Sequence, residues 1–548
     1  MLPPRFRWPF LLAACCIALG ALMQVPQALR MMSPEYRGIL VHLNSDEEIY
    51  QARVEEALQG RPEQAAEALV GDPRLRGSQS AQLEALEGTA FRFAGWSAPV
   101  LLQVLDSIIP PLLFLLLWWF FLSSGFTRRQ ALLGAAFFCL LELYNLNRPV
   151  YQRTSTLAVL LVFLLLMQGL DRRRPAGVLG GMLLGWLTGG YFWGWTFGWI
   201  WTGVLFLWEL IDWSRLPKHE RSTAVQSRWM RLLLFLLVAA VSALPALLAL
   251  RHLASDPLYP LAVFRSGIHP SHLPESWPYT VLFAVMTAGV ATAFLHHREE
   301  LRRRRYACVM VLAAFVAINQ QMIHGIVFNF VSHYLFFLII AAIGMLLLAF
   351  SLRFRPRILA LSAAAACIYL AAIGFDGRFI LKQWHPRPSD FVDQRLATLL
   401  PILNSLPRTR LLTDSATALF VADETKHDVV YALYLKNVLL SDRELAERFC
   451  MTQLPEPPEK RMWAQQTQLL WPDADAAFRN DPSVRRRELH LVSDACARLD
   501  RDPVQALKTY GVSSILWNEQ RTPDWNLARL RVPLTKIGQG EGWSLWKL

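Results

Sequence analysis

Three carboxylates stand in a row shortly after the first apolar segment of the chain, at Asp46, Glu47 and Glu48. Ser45 and Glu48 have the S-x-x-E spacing of a capping box, and acids in a first helical turn are stabilised by the positive end of the helix dipole. Helix capping therefore accounts for Ser45 and Glu48. It does not account for the face of the helix on which Asp46 lies.

Asp46 heads the apolar face of the helix that these acids begin. Steps of three and four residues from it reach the apolar positions Tyr50, Val54, Ala57 and Leu58. Gly60 is expected to end the helix, and Arg53 is expected to face solvent. A carboxylate directed at a membrane protein is costly without a partner or a task. Asp46 is therefore predicted to be a catalytic group, with Glu47 as a second candidate.

Two more acids are expected near the same membrane surface. Asp106 falls a few residues inside the second predicted span, and Glu142 lies a few residues inside the outer end of the third. Acids within membrane spans are functional candidates by default, so Asp106 is predicted to contribute to a substrate site. Ion pairs with Arg148 or Arg153 are the structural alternative.

Cations and histidines are expected on the same side as these acids. The loop 251–277 carries Arg251, Arg265 and His269, and the turn 319–333 carries His324 and His333. Arginine forks match phosphate geometry, so these groups are predicted to hold a phosphate beside a base, with Arg148 assisting. Ordinary structural contacts are the alternative for each of them singly.

The composition indicates a membrane protein. Hydrophobic residues make up 54% of the 548-residue chain, and only 18% of the residues are charged. Many apolar runs approach the length that crosses ~30 Å of hydrocarbon, and about eleven such spans lie between residues 8 and 374. The sequence therefore predicts an α-helical multi-pass membrane protein and argues against a soluble enzyme.

Charge separates the connecting loops into two sets. One set, which includes 171–174, 212–231 and 298–305, holds 20 Lys and Arg residues against five acids, a net charge of +15. The whole chain carries +12, so the remainder is slightly acidic. Basic loops stay in the cytoplasm, which predicts a cytoplasmic N-terminus and an extracytoplasmic C-terminus. The basic balance is thus a topology signal, and no nucleic-acid partner is expected.

A separate outer domain is predicted for residues 376–548, after a membrane domain of residues 1–375. Short strand-like pieces at 410–414, 428–435, 488–494 and 513–517 alternate with helical stretches such as 504–511. That alternation predicts a small α/β domain. The membrane domain contributes two outer loops, 27–97 and 251–277.

Two cysteines, Cys450 and Cys496, lie in the outer tail, and the other five lie in predicted spans. An oxidising compartment favours a disulfide between the tail pair, provided that their Cα atoms lie ~4.4–6.8 Å apart.

The stretch GWLTGGYFWGWTFGWIWTG at 185–203 combines five Trp with six Gly. Anchoring at the membrane interface and close helix packing explain it, and a surface that stacks against a sugar is the functional alternative.

The order of these features resembles a known superfamily. A first span, an outer loop with the acidic motif Ser45-Asp46-Glu47-Glu48-x-Tyr50, many further spans and an outer C-terminal domain are similar to the GT-C integral-membrane glycosyltransferases. The likeness covers roughly residues 1–375. It is greatest to bacterial members of the oligosaccharyltransferase, mannosyltransferase and aminoarabinose-transferase type.

The resemblance implies a transferase of the bacterial inner membrane and cell envelope. It would move a sugar from a polyprenyl-phosphate-linked donor to a lipid or glycan acceptor at the outer face. Asp46 matches the first-loop acid of the superfamily, which serves as a general base or as a metal-site carboxylate. Glu142 lies where a second-loop acid is expected.

The sequence also departs from the superfamily pattern. The residues after Glu142 are Leu143, Tyr144 and Asn145, so the paired acids frequent at that place are missing. The cofactor therefore stays open, with a divalent Mg²⁺ or Mn²⁺ bound by Asp46 and Glu142 as the candidate. A transporter or flippase for a lipid-linked glycan, and a glycan ligase or polymerase outside this superfamily, remain the alternatives.

Overall fold

A computed structural model gives the fold of the protein. It describes residues 4–43, 47–63, 75–148, 153–171, 174–215, 224–328, 331–353, 357–376, 384–461, 469–478 and 481–548. The chain forms two compact units. Unit 1 comprises Met1–Val25, Val104–Arg251 and Pro270–Trp384, and unit 2 comprises Pro26–Gln103, His252–His269 and His385–Leu548.

Helices make up nearly all of unit 1. Its first two long helices, α1 and α4, cross the division between the units, and the remaining helices lie within unit 1 except for the last turn of α9. The bounds are α1 Pro4–Met31, α4 Ala98–Ser123, α5 Arg128–Leu141, α6 Arg153–Asp171, α7 Arg174–Leu187, α8 Phe192–Ser214, α9 Ala224–Ala254, α11 Trp277–His296, α12 Arg298–Arg303, α13 Arg305–Asn319, α14 Gln321–His324, α15 Leu335–Ser351 and α16 Arg357–Asp376.

The described part of the chain contains seven helices that are long and apolar enough to cross a membrane. They are formed by residues Trp8–Met31, Ala98–Ser123, Arg153–Asp171, Arg228–Ala254, Trp277–His296, Ser332–Ser351 and Arg357–Phe375. The protein is therefore a helical membrane protein. Two further apolar helices, Pro175–Leu187 and Arg305–Asn319, are shorter. By the length and composition of its helices, the described part of the chain therefore has seven candidate spans and not the predicted eleven.

The basic loops meet at one end of unit 1. Asp212 at the end of α8 accepts hydrogen bonds from Arg298 and Arg302, at 2.9 Å in each case. Arg228 and Arg305 both reach Glu209, at 3.3 and 3.4 Å. We call this set of residues the basic end. Its ion pairs join loops that the sequence placed on one side of the membrane.

Unit 2 joins both outer loops to the C-terminal tail. Its helices are α2 Glu47–Leu58, α3 Gln82–Phe91, α10 Tyr259–Arg265, α17 Leu400–Ser405, α18 Ser415–Glu424, α19 Asp442–Gln453, α20 Pro472–Ala477, α21 Pro482–Arg501 and α22 Pro503–Thr509. Ile39 and Ala52 from the first loop are buried in the same apolar core as Leu411 and Val421 from the tail. Shared burial of apolar surface is what holds these distant stretches in one unit.

A five-stranded mixed sheet forms the centre of unit 2, in the order β4-β3-β5-β7-β6. The strands are β3 Arg410–Leu412, β4 Asp428–Val429, β5 Ser514–Asn518, β6 Thr535–Gly540 and β7 Trp543–Lys547, and the two-residue strands β1 His269–Pro270 and β2 Ile326–Val327 precede them along the chain. Strand β3 pairs in parallel with β4 and β5, while β7 pairs antiparallel with β5 and β6.

One predicted strand of the tail is wrong, and a second is much shorter than predicted, because only Asp428–Val429 of residues 428–435 form a strand and Leu433–Asn437 form a 3-10 helix. Residues 488–494 lie inside the 20-residue helix α21, which Asp481 caps by accepting from the backbone amide of Ser483. Pro482 supplies the first helical position, where a missing N–H costs nothing. The alternating apolar residues Leu489 and Leu491 suggested a strand, but the capping signal upstream carries more weight. The predicted helix at 504–511 is confirmed by α22.

The tail disulfide is confirmed. Cys450 and Cys496 are bonded, with their Cα atoms 5.0 Å apart, and they join α19 to α21. Both residues are buried in the core of unit 2.

Replacing Cys450 and Cys496 together by Ser should lower the free energy of unfolding of unit 2 by up to roughly 4 kcal/mol, because the bond closes a 46-residue loop. Denaturant unfolding of the purified full-length protein, followed in oxidising and reducing buffer, measures the loss. Cys367→Ser, which changes an exposed free thiol, is the matched control and should leave stability unchanged. The prediction would be contradicted if the native protein had the same free energy of unfolding in oxidising and in reducing buffer.

Candidate active site

A buried ion pair marks the end of unit 1 opposite the basic end. Arg153, the first residue of α6, donates to Asp106 on α4, and both side chains are buried. The same guanidinium donates to the carbonyl oxygen of Leu146 at 3.2 Å. Helix α6 runs from this pair to Asp171, which meets Arg228 and Arg305 about 27 Å away by helix rise.

Several buried polar atoms without a hydrogen-bond partner among the described residues lie near this ion pair in one short stretch of the chain, on Glu142, Asn147 and Arg153. Glu142 ends α5 and is fully buried, and its Oε2 accepts from the side-chain amide of Asn145 at 2.7 Å. Its Oε1 has no hydrogen-bond partner among the described residues, and the same holds for Oδ1 of Asn147 and Nη2 of Arg153. Buried polar atoms are nearly always paired, so this stretch is prepared to receive a polar ligand or ordered water.

A cation and a histidine accompany Glu142. Arg148 lies within electrostatic range of both Glu142 and His333. His333 belongs to the short 3-10 helix Val331–Tyr334, which Tyr334 ties to α8 by a hydrogen bond to Thr196 at 2.9 Å. We call Glu142, Asn145, Arg148 and His333 the Glu142 cluster. It combines an acid, a cation and a titratable ring.

Aromatic side chains of the Trp-rich stretch pack on this cluster. The ring of Trp193 meets His333 edge to face, with centroids 4.2 Å apart, and Tyr191 lies 6.1 Å from His333. The sequence did not single out Trp193 or Asn147. The signals present were the aromatic stretch itself and the polar residues of 145–153, which carry no apolar periodicity.

Asp46, the main catalytic candidate, lies outside the described residues, as does Ser45 of the predicted capping box. Its neighbour Glu47 is the first residue of α2 and accepts from the backbone amide of Leu43 at 3.1 Å. Glu47 stays a candidate, and it also lies within electrostatic range of Asp423.

Helix α2, which begins one residue after Asp46, is buried on nearly every side. Tyr50, Val54, Ala57 and Leu58 are buried as the sequence predicts, and Gly60 ends the helix region with φ +84°. The expectation that Arg53 faces solvent is wrong. Arg53 is 4% exposed and forms a buried ion pair with Glu84 of α3 at 2.9 Å. The apolar spacing alone could not show that a second helix covers that face.

Arg265 is fully buried in unit 2, and both of its terminal nitrogens are engaged there. Its guanidinium donates to the carbonyl oxygens of Val438 at 2.8 Å and Leu440 at 3.0 Å, and it lies 3.4 Å from Asp442. A phosphate at Arg265 would have to displace these bonds. We therefore assign Arg265 to holding α10 on the tail, and its predicted binding of substrate stays a prediction.

The other predicted cations and histidines are dispersed. His269 accepts or donates at Gly267 and packs on Phe478, both within unit 2. His324 receives the amide of Ile326 at 3.2 Å, and its ring meets Phe328, both within unit 1. Arg251 lies near the end of α9 and is exposed. Within the described residues, the structure assembles Glu142 with Arg148 and Asp106 with Arg153.

A metal site is not formed by the described residues. No group of three or more His, Cys, Asp or Glu side chains among them is arranged to hold an ion. Glu142 has an amide and a cation beside it where a divalent ion would require further oxygen ligands. Asp46, the other predicted metal ligand, lies outside the described residues, so a divalent ion bound by Asp46 and Glu142 stays a prediction.

Three solved structures are similar to this chain. The Archaeoglobus fulgidus oligosaccharyltransferase, tethered to an acceptor peptide, has 11% identity and a TM-score of 0.47, covering 97% of this chain and 74% of that one. The mycobacterial arabinofuranosyltransferase AftD has 14% identity and a TM-score of 0.45, covering 100% and 40%. ArnT from Cupriavidus metallidurans, bound to undecaprenyl phosphate, has 12% identity and a TM-score of 0.43, covering 98% and 97%.

No protein-family model matches the chain, and the search of curated proteins gave no significant match. With identities of 11–14% and TM-scores below 0.5, the structural likenesses leave the activity to be inferred from the chain's own residues.

Breaking the Asp106–Arg153 pair should be costly. Arg153→Met leaves a buried carboxylate without its cation and should destabilise unit 1 by ~3–5 kcal/mol. The double variant Asp106→Leu with Arg153→Met should recover much of the loss. Arg298→Met is the control, because its pair with Asp212 is part-exposed and should cost about 1 kcal/mol or less. Thermal unfolding in detergent compares the four proteins; equal losses for Arg153→Met and Arg298→Met would contradict the assignment.

Proposed function

We propose that the protein transfers a sugar from a polyprenyl-phosphate-linked donor to a lipid or glycan acceptor at the outer face of the membrane. The observation that carries this proposal is the Glu142 cluster. It places a buried acid, one of whose oxygens has no partner among the described residues, with an arginine and an aromatic surface at the end of unit 1 opposite its basic end.

A lipid-phosphate leaving group requires charge stabilisation more than protonation. Arg148 is the candidate for this role, because it is the cation of the Glu142 cluster and lies within electrostatic range of Glu142 and His333, whereas Arg153 is paired with Asp106. A guanidinium fork suits the non-bridging oxygens of a phosphate. Its effect is strengthened by a site from which water is largely excluded.

The acceptor must lose a proton as it attacks. Asp46 is proposed as the general base, because a positioned carboxylate close to the acceptor can take that proton. Glu47 holds the main chain on the other side of residues 44–46 through its bond to Leu43. Its proposed role is therefore to shape the loop that carries Asp46.

The bond changes balance without a further reactant. The acceptor oxygen or nitrogen forms a bond to the anomeric carbon, and the bond between that carbon and the phosphate oxygen breaks. The electron pair of the broken bond stays on the phosphate, where Arg148 offsets its charge. The acceptor proton passes to Asp46 and then to water.

The aromatic rings beside His333 provide a surface for the sugar. Trp193 and Tyr191 present apolar ring area with polar edges, the combination that suits one face of a pyranose or furanose. This favours a sugar donor over a lipid phosphate without a sugar. The transporter alternative lacks such support, because it predicts charges near the middle of the membrane, whereas the buried charges described in unit 1 lie toward its two ends.

The orientation follows the positive-inside rule. The basic end is proposed to face the cytoplasm of a bacterial inner membrane, which places the N-terminus inside and the C-terminal domain, with its disulfide, outside. Reporter fusions after residues 300 and 540 should report opposite sides of the membrane. The same side for both would contradict the assignment.

Asp46→Asn keeps the size of the side chain and removes its charge, so it should lower turnover by ~100-fold or more if the carboxylate is the base. The assay follows sugar transfer from a polyprenyl-phosphate-linked donor by the purified full-length protein. Glu48→Gln is the matched control and should cost little, because glutamine at that position also closes a capping box. Full activity of Asp46→Asn would leave the acidic run as a capping device.

A further inference from the structure

Helix α2 is linked to the C-terminal tail through one buried amide. Gln51 is 3% exposed, and its Nε2 donates to the carbonyl oxygen of Asp423 at 3.3 Å and to Oε1 of Glu424 at 3.1 Å. Its Oε1 lies 3.3 Å from Nε2 of His42. Every polar atom of this side chain is therefore used, which fixes the orientation of the amide.

Gln51 and its partner His42 lie on either side of residues 44–46 in the sequence. His42 precedes residues 44–46 by two positions, and Gln51 lies in the second turn of the helix that follows them. Asp423 and Glu424 are the last two residues of α18, whose N-terminus Asp414 caps. The tail helix thus holds both ends of the segment that contains Asp46 through a single side chain.

Several carboxylates surround the hydrogen bonds that join Gln51 to α18. Asp423 is 1% exposed, and its carboxylate oxygens make no hydrogen bond of good geometry among the described residues, with the backbone amide of Ala52 as a weak contact. Its nearest basic atom is Nε2 of His42, at 4.0 Å from Oδ2. Other titratable groups act on Asp423 or Glu424, namely Tyr36, Glu47, Glu48 and Glu55. Such a cluster is tolerated only where its geometry is enforced.

We infer that Gln51 is a positioning residue through which α18 of the C-terminal tail holds α2 and its first residue, Glu47, in place. The effect on transfer rests on the proposed function. The mechanical link, from α18 through Gln51 to α2 and its N-terminal turn, does not depend on it.

The charge state of the link is set by burial. Burial raises the pKa of Glu424 to about 7, with Glu55 adding to the effect, and it raises the pKa of Asp423 well above its usual range. Burial also lowers the pKa of His42. The amide of Gln51 donates to Glu424 in either protonation state, so the native link should be insensitive to pH near neutrality.

Gln51→Glu should make the link pH-dependent. Below pH ~6 one of the two acids is protonated and donates to the other, whereas at pH ~8 both are charged and repel at hydrogen-bonding distance. Turnover of Gln51→Glu should therefore be near that of the native protein at the acid end and fall by ~10-fold at the alkaline end. The double variant Gln51→Glu with Glu424→Gln exchanges donor and acceptor between these two side chains and should reduce that fall, although the bond to the carbonyl oxygen of Asp423 is not restored.

The test uses full-length protein in lipid nanodiscs with a polyprenyl-phosphate-linked sugar donor. Gln51→Ala should lower kcat by ~10-fold while the KM for the donor changes less than about twofold, since the donor's phosphate contacts are untouched. Gln59→Ala is the matched control, because Gln59 lies just beyond the end of the same helix and donates only to Glu55. It should leave kcat unchanged.

Hydrogen exchange separates the link from the proposed function. Gln51→Ala should speed amide exchange at residues 43–50 and leave residues 82–91 of α3 unchanged. Native kcat in Gln51→Ala, or unchanged exchange at 43–50, would overturn the inference. If the native protein transfers no sugar from any donor tried, the proposed function fails, and the exchange measurement alone then decides whether Gln51 holds the loop.

Discussion

The ion pair between Asp106 and Arg153 is the contact on which the end of unit 1 depends. Two charges in an apolar setting persist there only because each meets the other, and Arg153 also reaches the carbonyl oxygen of Leu146. That single guanidinium joins α4, the turn after α5 and the start of α6. Three members of the Glu142 cluster, Glu142, Asn145 and Arg148, lie in the turn so fixed, and the buried Oε1 of Glu142 has no hydrogen-bond partner among the described residues.

Buried arginines with polar partners also stabilise unit 2, where they join separate stretches of the chain. Arg30 pairs with Asp390 at 2.7 Å, Arg53 pairs with Glu84, and Arg265 donates to carbonyl oxygens of the tail. Each of these arginines is buried, and each joins stretches far apart in the sequence. Polar contacts thus tie the two outer loops and the tail into one unit, while the apolar core supplies most of the stability.

Sequence patterns predicted what depends on local spacing and composition. The apolar stripe of α2, its end near Gly60, the many apolar helices and the partnership of Cys450 with Cys496 follow from neighbours along the chain or from simple elimination. Long-range burial was beyond such patterns. Arg53 and Arg265 appear as surface or ligand-binding cations in the sequence, and only their distant partners Glu84 and Val438 reveal structural roles. Strand 488–494 was misread because alternating leucines fit a helix as well.

The central claim is that the Glu142 end of unit 1 binds the phosphate of a polyprenyl lipid. A cryo-EM structure of the full-length protein in nanodiscs, prepared with saturating polyprenyl phosphate, tests it most directly. The account predicts a headgroup within hydrogen-bonding distance of the Arg148 guanidinium, beside Glu142 and His333. A headgroup bound at the basic end among Arg228 and Arg305, or no bound lipid phosphate near Arg148, would contradict it.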